Sequence, residues 1–231
     1  MSSDWLSFWD SPHSIYVNAR HKDVHYRLIA DQIVALVPSR GARVLDYGCG
    51  EALHADRVAA AAGEVLLCDA APSVRAGLSA RFAANPAIKV IAPPEVAALP
   101  AHSLDLVALH SVVQYLSAQD ADALFSLFRR LLRKEGALIV GDVLTPDHAA
   151  SADVMALLRF AAANGFVGAA LVGLTRTVFS DYRRLRARLG ITRYSETAMT
   201  AKLAAAGFSA RCDPKLIGHD RARLAFIAQP R

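Results

Sequence analysis

At 231 residues, 54% of them hydrophobic and 20% charged, the chain has the make-up of one large globular domain, or a domain with an insertion, and not of a disordered protein. A net charge of +5 permits an anionic partner without requiring one, and the late basic run that includes Arg176 and Arg183 reads first as a solvated helix face. Three cysteines, Cys49, Cys68 and Cys212, with no C-x-x-C pair argue against a disulfide framework or structural zinc and for a reducing, cytoplasmic setting; no leader pattern opens the sequence, and its most apolar stretch, 166–174, is far shorter than the roughly 20 residues of a membrane span.

The first twenty residues carry Trp5, Phe8, Trp9 and Tyr16, too aromatic for an inert tail. Between 22 and 37, Val24, Leu28, Ile29, Ile33 and Leu36 recur at helical spacing, and Pro38 stops the pattern. Short apolar runs at 43–47, 64–68, 88–91, 104–110 and 137–142 then read as buried strands. Helical segments at 52–62, 72–83 and 120–134 alternate with them; Pro72 suits a first helical turn, and Ser117 with Asp120 suits a cap. Such alternation argues for a parallel, doubly wound sheet. After Asp142 the rhythm breaks. Residues 151–190 are helical in pattern, an insertion after the fifth strand. A helix at 195–206, stopped by Gly207, precedes two last strands at 208–213 and 222–228, joined through Gly218, His219 and Asp220.

The most informative stretch is 43–52, R-V-L-D-Y-G-C-G-E-A. A buried strand ends in an acid, Asp46, and a turn built on Gly48 and Gly50 lets the backbone fold tightly and a ligand approach without meeting a Cβ. A dinucleotide site needs a phosphate at the following helix N-terminus, and Asp46 would put negative charge beside it. The acid suits instead a ligand with cationic groups and no phosphate. Asp69 ends the second strand about twenty residues on, where a carboxylate can accept from two ribose hydroxyls or cap the helix at Pro72.

The run V-L-D-Y-G-C-G-E-A resembles motif I of the class I S-adenosylmethionine-dependent methyltransferases. The segment from Glu95 through Leu99-Pro100 to Ser103-Leu104-Asp105 is similar to the family's acidic-x-x-x-Leu-Pro element. The resemblance covers about residues 40–145 and departs from the commonest motif at Ala52, where a third glycine is frequent, and at Glu51 inside the turn. Alanine at 52 is small enough to leave a pocket open. The resemblance implies a Rossmann-like α/β fold, doubly wound, with seven mostly parallel strands, an antiparallel C-terminal hairpin, an N-terminal helical lid over 1–38 and a main domain over 39–231 with its insertion at about 151–190.

It also implies S-adenosyl-L-methionine as cofactor, held by Asp46, Gly48, Cys49 and Gly50, by Asp69 and Ala70 at the ribose, by Glu95 and the Val96 amide at the adenine, and by Tyr16, Arg20 and His110 around the methionyl end. Methyl transfer from a sulfonium is an in-line displacement that needs alignment, and needs a base only if the nucleophile carries a proton. His110, at the end of the fourth strand, is the candidate base, with Tyr115 and Tyr16 as further catalytic candidates. Leu109-His110-Ser111-Val112 lacks the Pro-Pro-aromatic motif of nucleic-acid amino methylases, and no cysteine has the setting of a pyrimidine C5 methylase. His21 and His25 stand at i, i+4 but lack a third ligand, so no metal is expected. The expected acceptor is a small, partly apolar molecule, with 165–174 either a pocket wall or cover or, equally, a helix packed on the core or at a dimer interface; nucleic acid is disfavoured, and a homodimer is allowed. RNA or protein methylation and a non-catalytic cofactor-binding module are the alternatives.

Overall fold

The structure, a computed structural model, describes residues 3–11, 15–177, 188–216, 218, 220 and 222–231. Strands β1 (Arg43–Tyr47), β2 (Glu64–Cys68), β3 (Ile88–Ile91), β4 (Leu104–His110), β5 (Leu132–Val143), β6 (Phe208–Cys212) and β7 (Leu224–Pro230) form one seven-stranded sheet in the order β3-β2-β1-β4-β5-β7-β6. The first five pair in parallel, and β7 runs antiparallel between β5 and β6. This is the doubly wound sheet with a closing hairpin that the residue pattern implied.

Side chains alternate across the pleat, and both faces are covered, so the strands read as unbroken apolar runs. Leu45, Leu66, Val107, Leu109, Leu138 and Val140 point to one side, against α6 (Ala118–Leu131) and α9 (Glu196–Ala205), which supply Phe125, Phe128, Met199 and Leu203. Val44, Val65, Leu67, Leu106, Ala108 and Ile139 point to the other, against α2 (Ala19–Val34), α3 (Ala55–Ala61) and α4 (Pro72–Phe82), which supply Ile33, Val58 and Leu78. Each such side chain, fully buried, stabilises the fold by about 1.5–3 kcal/mol.

Helix α6 shows how local chemistry sets an element. Ser117 Oγ accepts from the Asp120 N–H at 3.0 Å, and Leu124, Phe125, Phe128 and Leu131 line its buried face. The sequence pattern carries this helix to 134, but the chain enters β5 directly at Leu132. Backbone bonds from His102 N to Arg130 O and from Ser103 N to Leu131 O draw it into the sheet, and Arg133 pairs with Asp105 at 2.5 Å. The short α5 (Pro93–Ala97) follows β3.

The insertion is two helices in its described part, α7 (Ala150–Asn164) and α8 (Val167–Thr177), parted by Gly165 at φ +76°. Of the two readings of the apolar stretch 165–174, the packed helix matches its contacts, and none of its residues lines the main cavity. Phe166 and Ala170 form a cluster with Val24 of α2 and Ala161, with Val17 against it, and a Cβ on Gly173 would lie 2.2 Å from Val17 Cγ1. The reason is size: small residues let α8 approach the N-terminal segment closely. Arg183, His219 and the Arg176 side chain lie outside the described residues. At the chain's start, α1 (Ser3–Trp9) buries Trp5 against Tyr115, ring centroids 4.6 Å apart. No helix among the described residues is long and apolar enough to cross a membrane.

Candidate active site

The turn after β1 folds back over the end of β2, with Gly48 N and Cys49 N both donating to Cys68 O at 2.7 and 3.1 Å. Gly48 has φ +74° and a Cβ there would fall 2.3 Å from Val112 Cγ2; at Gly50, φ +56°, it would fall 2.5 Å from Tyr26 Oη. Ala52 also sits at a positive φ, +41°, which costs an alanine about 1 kcal/mol. A glycine at 52 would relieve that backbone strain.

Asp69 ties two turns together. Its Oδ2 accepts from Gly50 N at 3.0 Å and its Oδ1 from Ala71 N at 2.9 Å; it closes the turn ahead of α4 and does not cap that helix, whose N-cap position is Ala71 with no side-chain cap bond. Burial raises its pKa, and these backbone donors oppose the rise. Asp46, deep at the end of β1, is pushed up to about 7, by burial first and by the Asp69 charge second. Burial likewise drives the Cys49 thiol well above its ordinary value, which leaves it inert as a nucleophile.

A cavity of about 1020 Å³ opens at the carboxyl ends of the central strands, beside the point where the strand order reverses between β1 and β4. That crevice is the usual ligand position in open α/β sheets. Tyr16, Asp46, Gly48, Cys49, Gly50, Asp69, Ala70, His110 and Tyr115 line it. Three predicted residues lie elsewhere. Glu95 Oε2 accepts from Ala92 N at 2.7 Å and so caps α5, and the Val96 amide is bonded to Ala92 O at 3.2 Å, its side chain in the core. Arg20 Nε donates to Asn164 O at 3.2 Å, fastening α2 to the end of α7. Short-range capping and a cross-helix tie claim these groups.

The N-terminal segment grips the glycine turn. Tyr26 Oη accepts from Glu51 N at 2.9 Å and from the Tyr16 hydroxyl, and burial pushes the Tyr26 phenol up to about 12. Lys22 Nζ holds the Glu51 carboxylate at 2.7 Å, and Arg81 donates to the Glu51 carbonyl. Glu51, the odd residue of the motif, is thus the point to which α2 is fastened. His21 Nδ1 accepts from Val17 N at 3.3 Å and its ring stacks on Phe166. The ring of His25 lies between those of Tyr16 and His110, centroids 5.4 and 6.1 Å away.

Past β4 a second polar cluster lines the cavity. Ser111 Oγ donates to Asp142 Oδ2 at 2.5 Å and lies 2.9 Å from His110 Nδ1. A hydroxyl has one proton, so Nδ1 must be the donor of that second bond, an assignment made from the network. His110 Nε2 is shut from solvent, 3.8 Å from a Cβ built on Gly218. The geometry thus ties His110, which lines the cavity, to Ser111 and Asp142. Ser111 and Asp142 both have positive φ, +59° and +63°, and a register shift between Val140 and Val143 marks a bulge that aims Asp142 inward.

Arg223 sits among three carboxylates. Its Nη1 donates to Asp142 at 2.7 Å, Nη2 to Asp153 at 2.8 Å and Nε to Asp220 at 3.2 Å. Burial alone would raise Asp142 and Asp153; the guanidinium overcomes it and holds both below the usual range. His148 Nε2 meets Asp153 Oδ1 at 2.7 Å. His148, Asp153 and Asp220 are residue types that ligate metals, but Arg223 already donates to both carboxylates. Sequence reasoning missed Tyr26, His148, Asp153, Asp220 and Arg223. Asp142 was legible as an acid ending a strand, like Asp46; Arg223 was not, because its partner lies 81 residues away.

Residues 45–140 match the family described as a methyltransferase domain. No curated protein matches the chain. Among solved structures it is similar to the YcgJ protein from Bacillus subtilis, with TM-score 0.61 and 14% identity over 89% of this chain and 99% of that one. It is similar also to magnesium protoporphyrin IX methyltransferase (ChlM) from Synechocystis PCC 6803 with bound S-adenosylhomocysteine, with TM-score 0.59 and 17% identity over 99% and 94% of the two chains. A third is the complex between the Haloferax volcanii Trm112 methyltransferase activator and a putative methyltransferase, TM-score 0.57, 15% identity, 91% and 92% covered. Identities this low speak to fold. The family match runs from β1 to β5, so residues 45–140 are similar to a methyltransferase domain, and the Rossmann-like fold is shared with these solved structures along nearly the whole chain.

Proposed function

We propose that the protein is an S-adenosylmethionine-dependent methyltransferase acting on a small molecule in a cytoplasmic setting. The observation that carries this is the acid-lined cavity of about 1020 Å³ at the glycine turn, with aromatic residues of the N-terminal segment and Leu157 of α7 among its walls. On this reading residues 1–38 form a lid on a main domain, 39–231, with its helical insertion. Bound there, S-adenosylmethionine supplies a methyl group on a sulfonium that departs as a neutral thioether. Gly48, Cys49 and Gly50 offer backbone that a ligand can approach, Asp46 offers negative charge to its cationic end, and Asp69 with Ala70 offers acceptors to ribose hydroxyls. Tyr16 and Tyr115 exclude water and shape the acceptor space. His110 is a positioning residue, acting through Ser111 and Asp142.

The lining supports a small acceptor over RNA. Its acidic side chains outnumber its lysines and arginines by more than two to one, and a polyanion binds by the opposite complement. Calorimetric titration with S-adenosylmethionine and S-adenosylhomocysteine tests the reading, with a nicotinamide dinucleotide as control. Saturable binding of the first two, weakened at least tenfold in Asp69→Ala and less in Asp69→Asn, is expected. Preference for the dinucleotide would overturn it.

A further inference from the structure

The acceptor side of the cavity has a sign. Asp46 and Asp69 belong to β1 and the turn after β2, whereas Asp142, Asp153 and Asp220 come from β5, α7 and the approach to β7, across β4 in the sheet. All five face one cavity, so it has an acidic wall on each side. The first suits the cationic cofactor of the proposed function. The second has no such occupant in that reading.

Arg223 does not cancel this wall. One guanidinium stands among three carboxylates, and each of its three nitrogens already donates to one of them. An incoming anion would have to win Arg223 from partners already in place while facing their excess charge. His148 is wholly buried on Asp153, and His25 and His110 face Asp142. A protonated nitrogen of a ligand would complete the balance beside carboxylates that are partly or wholly withdrawn from solvent, where such pairing is stronger than in bulk water. The overall charge of the chain, +5, has the opposite sign, so the acidity is particular to the cavity.

We propose that the methyl acceptor carries a protonated nitrogen, an amine or amidine on a small molecule, that seats against the wall formed by Asp142, Asp153 and Asp220 beside Arg223. This rests on the methyltransferase reading and narrows it. The cationic group is the recognition handle.

The test uses the full chain saturated with S-adenosylhomocysteine at pH 8, so that the cofactor side is filled. Ligand-observed NMR then compares matched aryl probes that differ only in ending as an aminoethyl, hydroxyethyl or carboxyethyl group. Aminoethyl members should bind at least tenfold more tightly than carboxyethyl ones. Asp153→Asn and Asp220→Asn should each cut that preference at least threefold, with the affinity for S-adenosylhomocysteine measured alongside as a check on the fold. Equal binding, a preference for the carboxylates, or no binding by any probe overturns the inference and leaves the methyltransferase reading standing. Failure of S-adenosylhomocysteine itself to bind overturns both.

Discussion

Asp46 ends a buried strand, and its carboxyl is lifted from 3.8 to about 7 by burial and then by Asp69. A raised carboxyl keeps a proton in the fold that the unfolded chain has already lost. Its contribution to stability is therefore present below about pH 4 and is lost as the pH climbs to about 7, by ~4 kcal/mol at the upper limit. A cation beside it reverses the preference, because positive charge favours the ionised form. Binding of S-adenosylmethionine should thus release a proton below pH 7. Affinity should rise by up to about tenfold per pH unit between pH 5.5 and 7 and level off above, as read by calorimetry in buffers of different ionisation enthalpy. Asp46→Asn should flatten the profile; a flat wild-type profile would mean that Asp46 does not face the cation. Asp46 and the glycines were legible in the sequence because the whole device is local, one strand and its turn.

Between elements, the contact of α2 with the glycine turn is the one that sequence could not supply. The helix itself was readable from its apolar spacing, and Asn18 caps it by accepting from His21 N at 2.8 Å. That Tyr26 reaches Glu51, 25 residues on, follows only from the packing of α2 against α3 and the sheet. Tyr26→Phe removes an acceptor and strands the Glu51 N–H, at a cost of about 1 kcal/mol. We expect cofactor affinity to fall severalfold and the Glu51 amide to exchange hydrogen faster, with the remainder of the sheet unchanged. If exchange at Glu51 is unaltered, the N-terminal segment does not hold the turn. The same scale explains Glu95 and Arg20: each looks like a ligand group in the sequence, and each is spent on a helix end.

At the scale of the molecule, Arg223 joins β5, α7 and the entry to β7 in one buried network. Breaking such a network from one side leaves charges buried without a partner and costs about 3–5 kcal/mol. Asp142 and Asp153 are held below the ordinary range in the native protein, so their share of stability is present above about pH 4 and fades as the pH falls below it. In Arg223→Gln the sign inverts, since burial alone then acts and raises them. The variant should lose more stability at pH 8 than at pH 5 in urea titrations, and Arg223→Lys should recover part of the loss. An equal loss at both pH values would mean that the carboxylates are not left charged and unpaired.

The sequence by itself determined the strands of the parallel sheet, the glycine turn with its acids, and the family that these resemble. Apolar periodicity, caps and strand-end acids are each written within a dozen residues, and a sheet buried on both faces imprints them strongly. Tertiary structure alone decided which candidates reach the cavity, where the apolar stretch of the insertion packs, and that one arginine gathers three aspartates. Those outcomes depend on the order β1-β4-β5-β7, which brings together residues 70 and 81 positions apart. Charge pairing carries no periodicity along a chain, so nothing local could have announced it.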